Sequence, residues 1–327
     1  ATTPGLPERL ATGRRISAYI GFDPTADSLH IGHLIPIFGL LRLQRHGGRP
    51  VALVGGGTGM IGDPSGRSSE RNLLDVPTLE HNVAAIRGQL ERFLDFSPGP
   101  AQAVMANNYD WLGAISLIDY LRDVGKHFTV PYMLAKDSVQ TRLERGLSFT
   151  EFSYMTLQAF DFLTLYREHG VEMQMGGADQ WGNITAGLEL IRRTSGGEAE
   201  ESPAHGIAYK LLLSPSGAKF GKSEGGDSVW LDPVRTTPYA FYQYWVNVDD
   251  RDIGTYMRWF TTWERDDIEA LDAAVAAAPE AREAQRRLAF DVTARVHGED
   301  AARNAVAVSQ ALFQREPISD PALLAAV

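Results

Sequence analysis

The sequence has no cysteine, which excludes disulfides and thiolate metal sites and fits a reducing compartment. Lysine is almost as scarce. Only Lys126, Lys136, Lys210, Lys219 and Lys222 occur among 31 basic residues, so two lysines standing three apart are conspicuous. No run approaches the roughly 18 to 20 apolar residues that a bilayer-spanning helix needs, and the first residues lack the charged-then-apolar order of a secretory leader. The chain therefore reads as soluble and cytoplasmic, with no membrane partner. Basic residues are also outnumbered by 41 acidic ones, a net charge of −10. The whole-molecule field repels a polyanion, and any nucleic-acid contact must come from a local basic patch. What is present, 327 residues with 44% hydrophobic content, suffices for one large domain and a smaller one.

Residues 15 to 22 alternate as a strand, with Ile16, Ala18, Ile20 and Phe22 on one side and Ser17, Tyr19 and Gly21 on the other, continued by Asp23. Ser28 is the expected N-cap of an apolar helix over 29–46, Gly47-Gly48 stops it, and a buried strand follows at 51–54. Further strands are expected near 103–105, 171–175 and 207–213, and helices near 79–93, 116–123, 149–169 and 180–193. This alternation predicts an α/β fold, a mostly parallel sheet with helices on both faces. From Pro238 onward no strand pattern recurs, and 270–327 is alanine-rich with helical periodicity. The expected organisation is a catalytic domain over 1–213, a mobile glycine- and serine-rich loop over 214–231, and an all-helical domain over 232–327.

His30-Ile31-Gly32-His33 falls in the first turn of the first helix, where unpaired backbone N–H groups and the helix dipole favour an anion. Two imidazoles there stay neutral and donate N–H to phosphate oxygens, while Gly32 lets a flat ligand approach. The alternatives are two solvated histidines or a metal pair. A zinc pair lacks a glutamate base and a third ligand nearby. Lys219-Phe220-Gly221-Lys222-Ser223 lies in the glycine-rich loop, where two ammonium groups can close over a polyphosphate, with a solvated basic loop as the alternative. Gly57-Thr58-Gly59-Met60-Ile61-Gly62 formally fits a dinucleotide fingerprint, but Asp63-Pro64-Ser65-Gly66 interrupts the helix this would require. Ser148-Phe149-Thr150-Glu151 has capping-box spacing, and Tyr154, Gln158 and Asp161 then form one stripe on a largely apolar helix. A buried Asp161 carboxylate demands a partner. Arg67 and Arg71, four apart, share a face if helical, with surface arginines as the alternative. The aromatics from Tyr239 to Trp263 are read as core packing, since their spacing is helical and no basic residues interleave.

His30 to His33 matches the first signature of class I aminoacyl-tRNA synthetases, and Lys219 to Ser223 resembles their second in its bacterial tyrosine-enzyme form, with Phe-Gly in place of Met-Ser. Residues 52–71 and 179–193 resemble the same tyrosyl family, and the likeness runs from Ile20 to about His297. It implies a Rossmann-like five-stranded sheet carrying an inserted dimerisation segment, then a helical domain on the anticodon-stem side of tRNA. It implies that L-tyrosine is activated with ATP and Mg2+ and passed to tRNA(Tyr) by a homodimer, with no permanently bound metal or organic cofactor. Tyr19 and Asp161 are implied to bond the phenol, and Asp63, Tyr154 and Gln158, with Gln180, the rest of the tyrosine. Gly21, Asp23, Thr25, His30, Gly32, His33, Gly177, Asp179 and Lys222 are implied to hold ATP. His30, His33, Lys219, Lys222, Ser223, Arg67 and Arg71 are implied to serve the pyrophosphate end, and Arg192 and Arg193 to meet tRNA phosphates. The family's C-terminal RNA-binding domain is expected to be absent, weakening tRNA charging more than amino-acid activation. The rival readings are a tryptophanyl enzyme, a catalytically silent RNA-binding paralogue and a small-molecule nucleotidyltransferase.

Overall fold

The computed structural model describes residues 1–65, 74–143, 146–196, 202–210, 212, 220 and 228–313. The chain divides into two compact units. One comprises Ala1–Asp27, Gly39–Gly88 and Leu94–Leu211, the other Ser28–Phe38, Gln89–Phe93 and Leu212–Val327.

The first unit is built on five strands, β1 (Ser17–Phe22), β2 (Arg49–Val54), β3 (Val104–Asn107), β4 (Met173–Gly177) and β5 (His205–Tyr209). All pair in parallel, in the order β3-β2-β1-β4-β5. The alternation over 15–22 is real, yet every residue of β1 except Gly21 is buried, because a central strand is covered on both faces. The chain winds outward from β1 in one direction and from β4 in the other, so the β1–β4 seam is the switch point at whose carboxyl edge α/β sheets bind ligands. Tyr19 on β1 lies in register with Gln174 on β4. β5 runs 205–209 and starts before the expected 207, because His205 N–H already bonds Glu172 O at 2.7 Å and sets the pairing with β4; of the expected 207–213, residues 211 and 213 lie outside the described residues.

Helix Phe149–His169 begins and ends where the sequence indicates: Ser148 Oγ accepts Glu151 N–H, and Gly170 takes the left-handed conformation at φ 64°. Phe162, fully buried on it, meets the Tyr19 ring at 5.3 Å between centroids. Helix Trp181–Thr194 follows β4 after a single 3-10 turn, and Ile184 and Leu190 seal the same core. Gly57 to Gly62 forms a 3-10 turn over Thr58–Met60 and no dinucleotide-binding helix.

The second unit packs helices Pro238–Val246, Asp250–Phe260, Arg265–Ala277, Glu283–His297 and Glu299–Phe313. Phe241, Trp245 and Phe260 are fully buried in it, so the aromatic cluster is core, as its spacing indicates. Residues 28–38 belong here because Phe38 stacks edgewise on Phe93 and Phe260. Among the described residues no helix is long and apolar enough to cross a membrane.

Candidate active site

The His-x-Gly-His turn differs from its expected form. Residues 31–33 make a 3-10 turn before helix Leu34–Arg45, and its N-cap is His30, not Ser28. Ser28 Oγ is engaged elsewhere, donating to Leu29 O and accepting from Gln89 Nε2 and Asp232 N–H. His30 Nδ1 accepts Gly32 N–H at 3.0 Å, and His33 Nδ1 accepts His30 N–H at 3.1 Å. Ile31 N–H bonds Val229 O and His33 N–H bonds His30 O. The backbone donors of this turn are therefore occupied rather than open to an anion. The donor capacity passes to the rings: an imidazole whose Nδ1 accepts carries its proton on Nε2 when neutral. Both rings are held neutral. Burial lowers the His30 pKa, and burial with the neighbouring His30 charge lowers that of His33 to about 3. Gly32 is demanded by the same turn, since a Cβ there would stand 2.8 Å from His30 Cε1.

In the sheet unit, Tyr19 and Asp161 are each 1% exposed. Asp161 Oδ2 accepts from Asn108 Nδ2 at 2.9 Å and Oδ1 from the Trp111 indole N–H at 2.7 Å. Burial raises the Asp161 carboxyl to about 7 against these two bonds, with a further upward push from Asp23. The Tyr19 hydroxyl, raised well above its ordinary value by burial and by Asp161, has no hydrogen-bond partner among the described residues. An orphaned buried hydroxyl costs roughly 1–3 kcal/mol. The electrostatic coupling of Tyr19 to Asp161 places this unpartnered hydroxyl near a buried carboxylate.

A second polar cluster forms around Asp63, which is 8% exposed. Its Oδ2 accepts from Gln180 Nε2 at 2.6 Å, and its Oδ1 accepts Ser65 N–H. Gln158 Nε2 donates to Gln180 Oε1 at 3.1 Å, while Asn183 Nδ2 donates to Gln158 Oε1 at 3.0 Å. Tyr154, buried at 4% exposure, comes from the same helix as Gln158 and Asp161. Carboxylate and amide oxygens gathered this way suit an ammonium group.

Gly21 is the exposed position at the end of β1, and Asp23 follows it, with its carbonyl accepting Thr25 N–H. Asp23 Oδ1 leaves no room for a Cβ at Gly55, which would lie 2.7 Å away. Gly177 ends β4 and Asp179 lies in the next 3-10 turn, at the carboxyl edge of the sheet. Arg192 and Arg193 share Glu189 as ion-pair partner, and Arg193 also donates to His127 O. Arg67, Arg71, Lys219, Lys222 and Ser223 lie outside the described residues. Among the described residues no cluster of His, Asp or Glu has a metal-binding arrangement.

Asn108 and Trp111, which bond Asp161, and Asn183, which bonds Gln158, are not singled out by the sequence reading. The available signal for the first was its place just past β3, at the carboxyl end of a strand. Asn108 Oδ1 accepts Gly57 N–H at 2.7 Å and its amide also bonds Thr58 Oγ1, which forces the N–H side toward Asp161.

The family model for class I tRNA synthetases (W and Y) matches residues 11–314. Among curated relatives, the tyrosine–tRNA ligase of Anaeromyxobacter dehalogenans is 58% identical over 311 residues, covering 95% of this chain and 72% of that protein. That of Geobacillus stearothermophilus is 55% identical over 305 residues, covering 93% and 72%. Among solved structures, a C-terminally truncated mitochondrial tyrosyl-tRNA synthetase of Aspergillus nidulans superposes with a TM-score of 0.83 at 29% identity, over 94% of this chain and 89% of that one. A tryptophanyl-tRNA synthetase of Plasmodium falciparum, 12% identical, shares the fold at a TM-score of 0.63 over 92% and 80%. With the match running through nearly the whole chain, including the His-x-Gly-His turn and the helix that carries Asp161, the chain belongs to the class I tRNA synthetases of the tryptophan and tyrosine family.

Proposed function

We propose that the chain is a tyrosine–tRNA ligase, which joins L-tyrosine to ATP as tyrosyl-adenylate and then transfers the tyrosyl group to the 3′ end of tRNA(Tyr). The observation that carries the choice of tyrosine is the orphaned Tyr19 hydroxyl beside Asp161, a carboxylate braced by Asn108 and Trp111. The substrate phenol donates to Asp161 and accepts from Tyr19. Phenylalanine in the same slot leaves both groups unpaired, and an indole N–H has no lone pair to take the Tyr19 proton. Asp63, Tyr154 and Gln158, with Gln180, receive the α-ammonium.

The substrate carboxylate attacks the α-phosphate of Mg-ATP in line, an oxygen–phosphorus bond forms, and pyrophosphate departs. No side-chain nucleophile takes part, so catalysis is positioning and charge stabilisation. His30 and His33 serve as neutral Nε2–H donors to phosphate oxygens. Lys219, Lys222 and Ser223, with Arg67 and Arg71, complete the phosphate-binding set in this reading, and Gly21, Asp23, Thr25, Gly177 and Asp179 accommodate the adenosine part. The terminal ribose hydroxyl of tRNA then takes the aminoacyl group, releasing AMP, with Arg192 and Arg193 near the acceptor stem.

The active species is a homodimer. Leu117 and Ile118 on helix Leu117–Asp123 are 69% and 70% exposed, and Phe149 at the start of the Asp161 helix is 78% exposed. Large apolar side chains left exposed on a folded unit are candidates for an association surface. Pyrophosphate exchange with each of the twenty amino acids tests the substrate: tyrosine alone supports it, whereas a preference for tryptophan overturns the reading. Sedimentation of Phe149→Asp tests the assembly, with a shift toward monomer expected and an unchanged dimer counting against this surface.

A further inference from the structure

Residues 29–31 and 229–231, both in the helical second unit, lie side by side in antiparallel. Ile31 N–H bonds Val229 O at 2.9 Å, and Leu231 N–H bonds Leu29 O at 2.8 Å. Those two bonds flank His30 and Trp230, which become a directly opposed pair exchanging no backbone bond of their own. Such pairs bring side chains closest together and turn their own N–H groups away from the partner segment. Both consequences are seen. The His30 N–H goes to His33 Nδ1 at 3.1 Å, and the Trp230 N–H goes to Thr236 Oγ1 at 2.9 Å. The indole meets the His30 imidazole edgewise, with centroids 6.1 Å apart and planes at 76°. The Arg235 guanidinium lies above the Trp230 ring, 4.8 Å from its centroid. Asp232 shapes the turn that returns Arg235: its Oδ1 accepts Val234 N–H and Arg235 N–H, and its carbonyl accepts Thr236 N–H.

We propose that Trp230 is a positioning residue for the phosphate chemistry, an indole brace that holds the His30 imidazole in the orientation from which its Nε2–H serves a phosphate oxygen. The inference rests on the proposed function, in which His30 acts on ATP. The imidazole has one tie of its own within the turn, Nδ1 accepting Gly32 N–H at 3.0 Å. A single hydrogen bond tolerates a range of angles, so the tilt of the ring is left to packing. Trp230 is suited to that task because it is itself held, through the two flanking backbone bonds, through Thr236 and through Arg235 on its ring. The indole has a second effect. Covering an imidazole with apolar surface disfavours its charged form, and burial is what keeps the His30 pKa below its ordinary 6.5. Trp230 thereby preserves both the heading and the neutral state of the donor, and its influence on the reaction passes through His30 alone.

The test compares Trp230→Ala, Trp230→Leu and Trp230→Phe with the wild-type chain in tyrosine-dependent pyrophosphate exchange, alongside an NMR titration of the His30 imidazole. Melting temperature is measured in parallel, and assays are run well below the lowest transition. The expected result is a loss of about 10²-fold in kcat/KM for ATP in Trp230→Ala, the scale of a misplacement of about 1 Å. KM for tyrosine stays unchanged, and His30 titrates at higher pH than in the wild type. Trp230→Phe, which restores a planar ring, recovers most of the rate. If the alanine variant does not fold, Trp230→Leu carries the comparison: it keeps apolar bulk without the ring, and a smaller loss of the same pattern is expected. A double-mutant cycle with His30→Ala isolates the route, since replacing Trp230 in that background is expected to cost little further. Full additivity in the cycle overturns the proposal. Variants that melt earlier yet keep the ATP parameters and the His30 titration overturn it as well and leave Trp230 a packing residue only. Equal losses toward tyrosine and ATP do the same. A wild-type chain silent with every amino acid removes the proposed function and this inference with it, whereas an active wild type with indifferent Trp230 variants removes the inference alone.

Discussion

Asn108 donates its side-chain N–H to Asp161 at 2.9 Å, and the opposite face of the same amide accepts Gly57 N–H at 2.7 Å. The glycine turn after β2 therefore dictates which way the amide points, and the amide steadies the carboxylate proposed to take the substrate phenol. Replacing Asn108 by alanine removes a bond to a charged group, worth about 1.5–3 kcal/mol, while leaving the helix that carries Asp161 intact. Tyrosine KM in pyrophosphate exchange is expected to rise about tenfold or more, with KM for ATP little changed. Trp111→Phe removes the other donor and should act in the same direction. A parallel rise in both Michaelis constants would instead mean general disruption.

Asp161 itself sets a pH dependence. Burial raises its carboxyl to about 7, so part of the population is protonated at neutral pH and cannot accept the substrate phenol on that oxygen. Tyrosine kcat/KM is expected to increase as pH rises through about 7 and then level off. Asn108→Ala should move this inflection upward, because it deletes a bond that favours the charged form. The stability effect has the opposite sense. A carboxyl raised from 3.8 to about 7 stabilises the folded state fully below 3.8, and that contribution is lost as pH climbs through about 7. A pH profile for tyrosine that is flat between 6 and 8 would refute the assignment.

The parts of this arrangement legible in the sequence are those written in local pattern. Ser148 and Gly170 delimit the Asp161 helix because a hydroxyl cap and a left-handed glycine act within a few residues of themselves. The alternation of β1 exposes Tyr19 as one of a strand's two faces, whichever neighbours it later acquires. Asn108 and Trp111 are different. They stand about fifty residues from Asp161, and only the pairing of β3 beside β2 brings the Asn108 end of the sheet to that carboxylate. The histidine turn falls between these cases. Its ring donors follow from residue type, but the occupation of its backbone N–H groups depends on His30 and His33 folding back onto the turn and on Val229, almost two hundred residues away.

His33 supplies a test of the neutral-donor chemistry. With its pKa lowered to about 3, it should show no titration in a proton or nitrogen NMR series from pH 8 to pH 5, and its Nε2 should carry the proton throughout. His33→Asn keeps an N–H donor near that position, whereas His33→Ala does not. Loss of one preorganised donor to a developing charge costs about 10²–10³ in rate, so the alanine variant should lose that much in kcat for exchange and the asparagine variant clearly less. The depressed value also implies that folded stability declines as pH falls from 6.5 toward 3, since the unfolded chain takes up the proton first. A His33 resonance titrating near 6.5 would refute the buried, neutral assignment.

Arg282 carries the remaining prediction, one about the helical unit. It is the one described non-glycine residue with positive φ, at 49°, and it stands immediately before helix Glu283–His297. Such a backbone costs about 1–3 kcal/mol and persists only if something nearby outweighs it. Here the guanidinium spans two terminal carbonyls, bonding Val246 O and Val248 O at 2.6 Å each, and reaches Asp250 at 3.2 Å. It thereby caps helix Pro238–Val246 at the end where the dipole is negative. Arg282→Ala keeps the strain and deletes the donors, so it should be the most destabilised variant, by about 2–3 kcal/mol in urea unfolding. Arg282→Gly loses the same bonds but relieves the backbone, and should recover about 1 kcal/mol relative to alanine. Arg282→Lys keeps the charge without the planar fork and should fall between wild type and alanine. If glycine proved no better than alanine, the left-handed backbone would be cost-free, and the view that the guanidinium bonds hold it in place would fail.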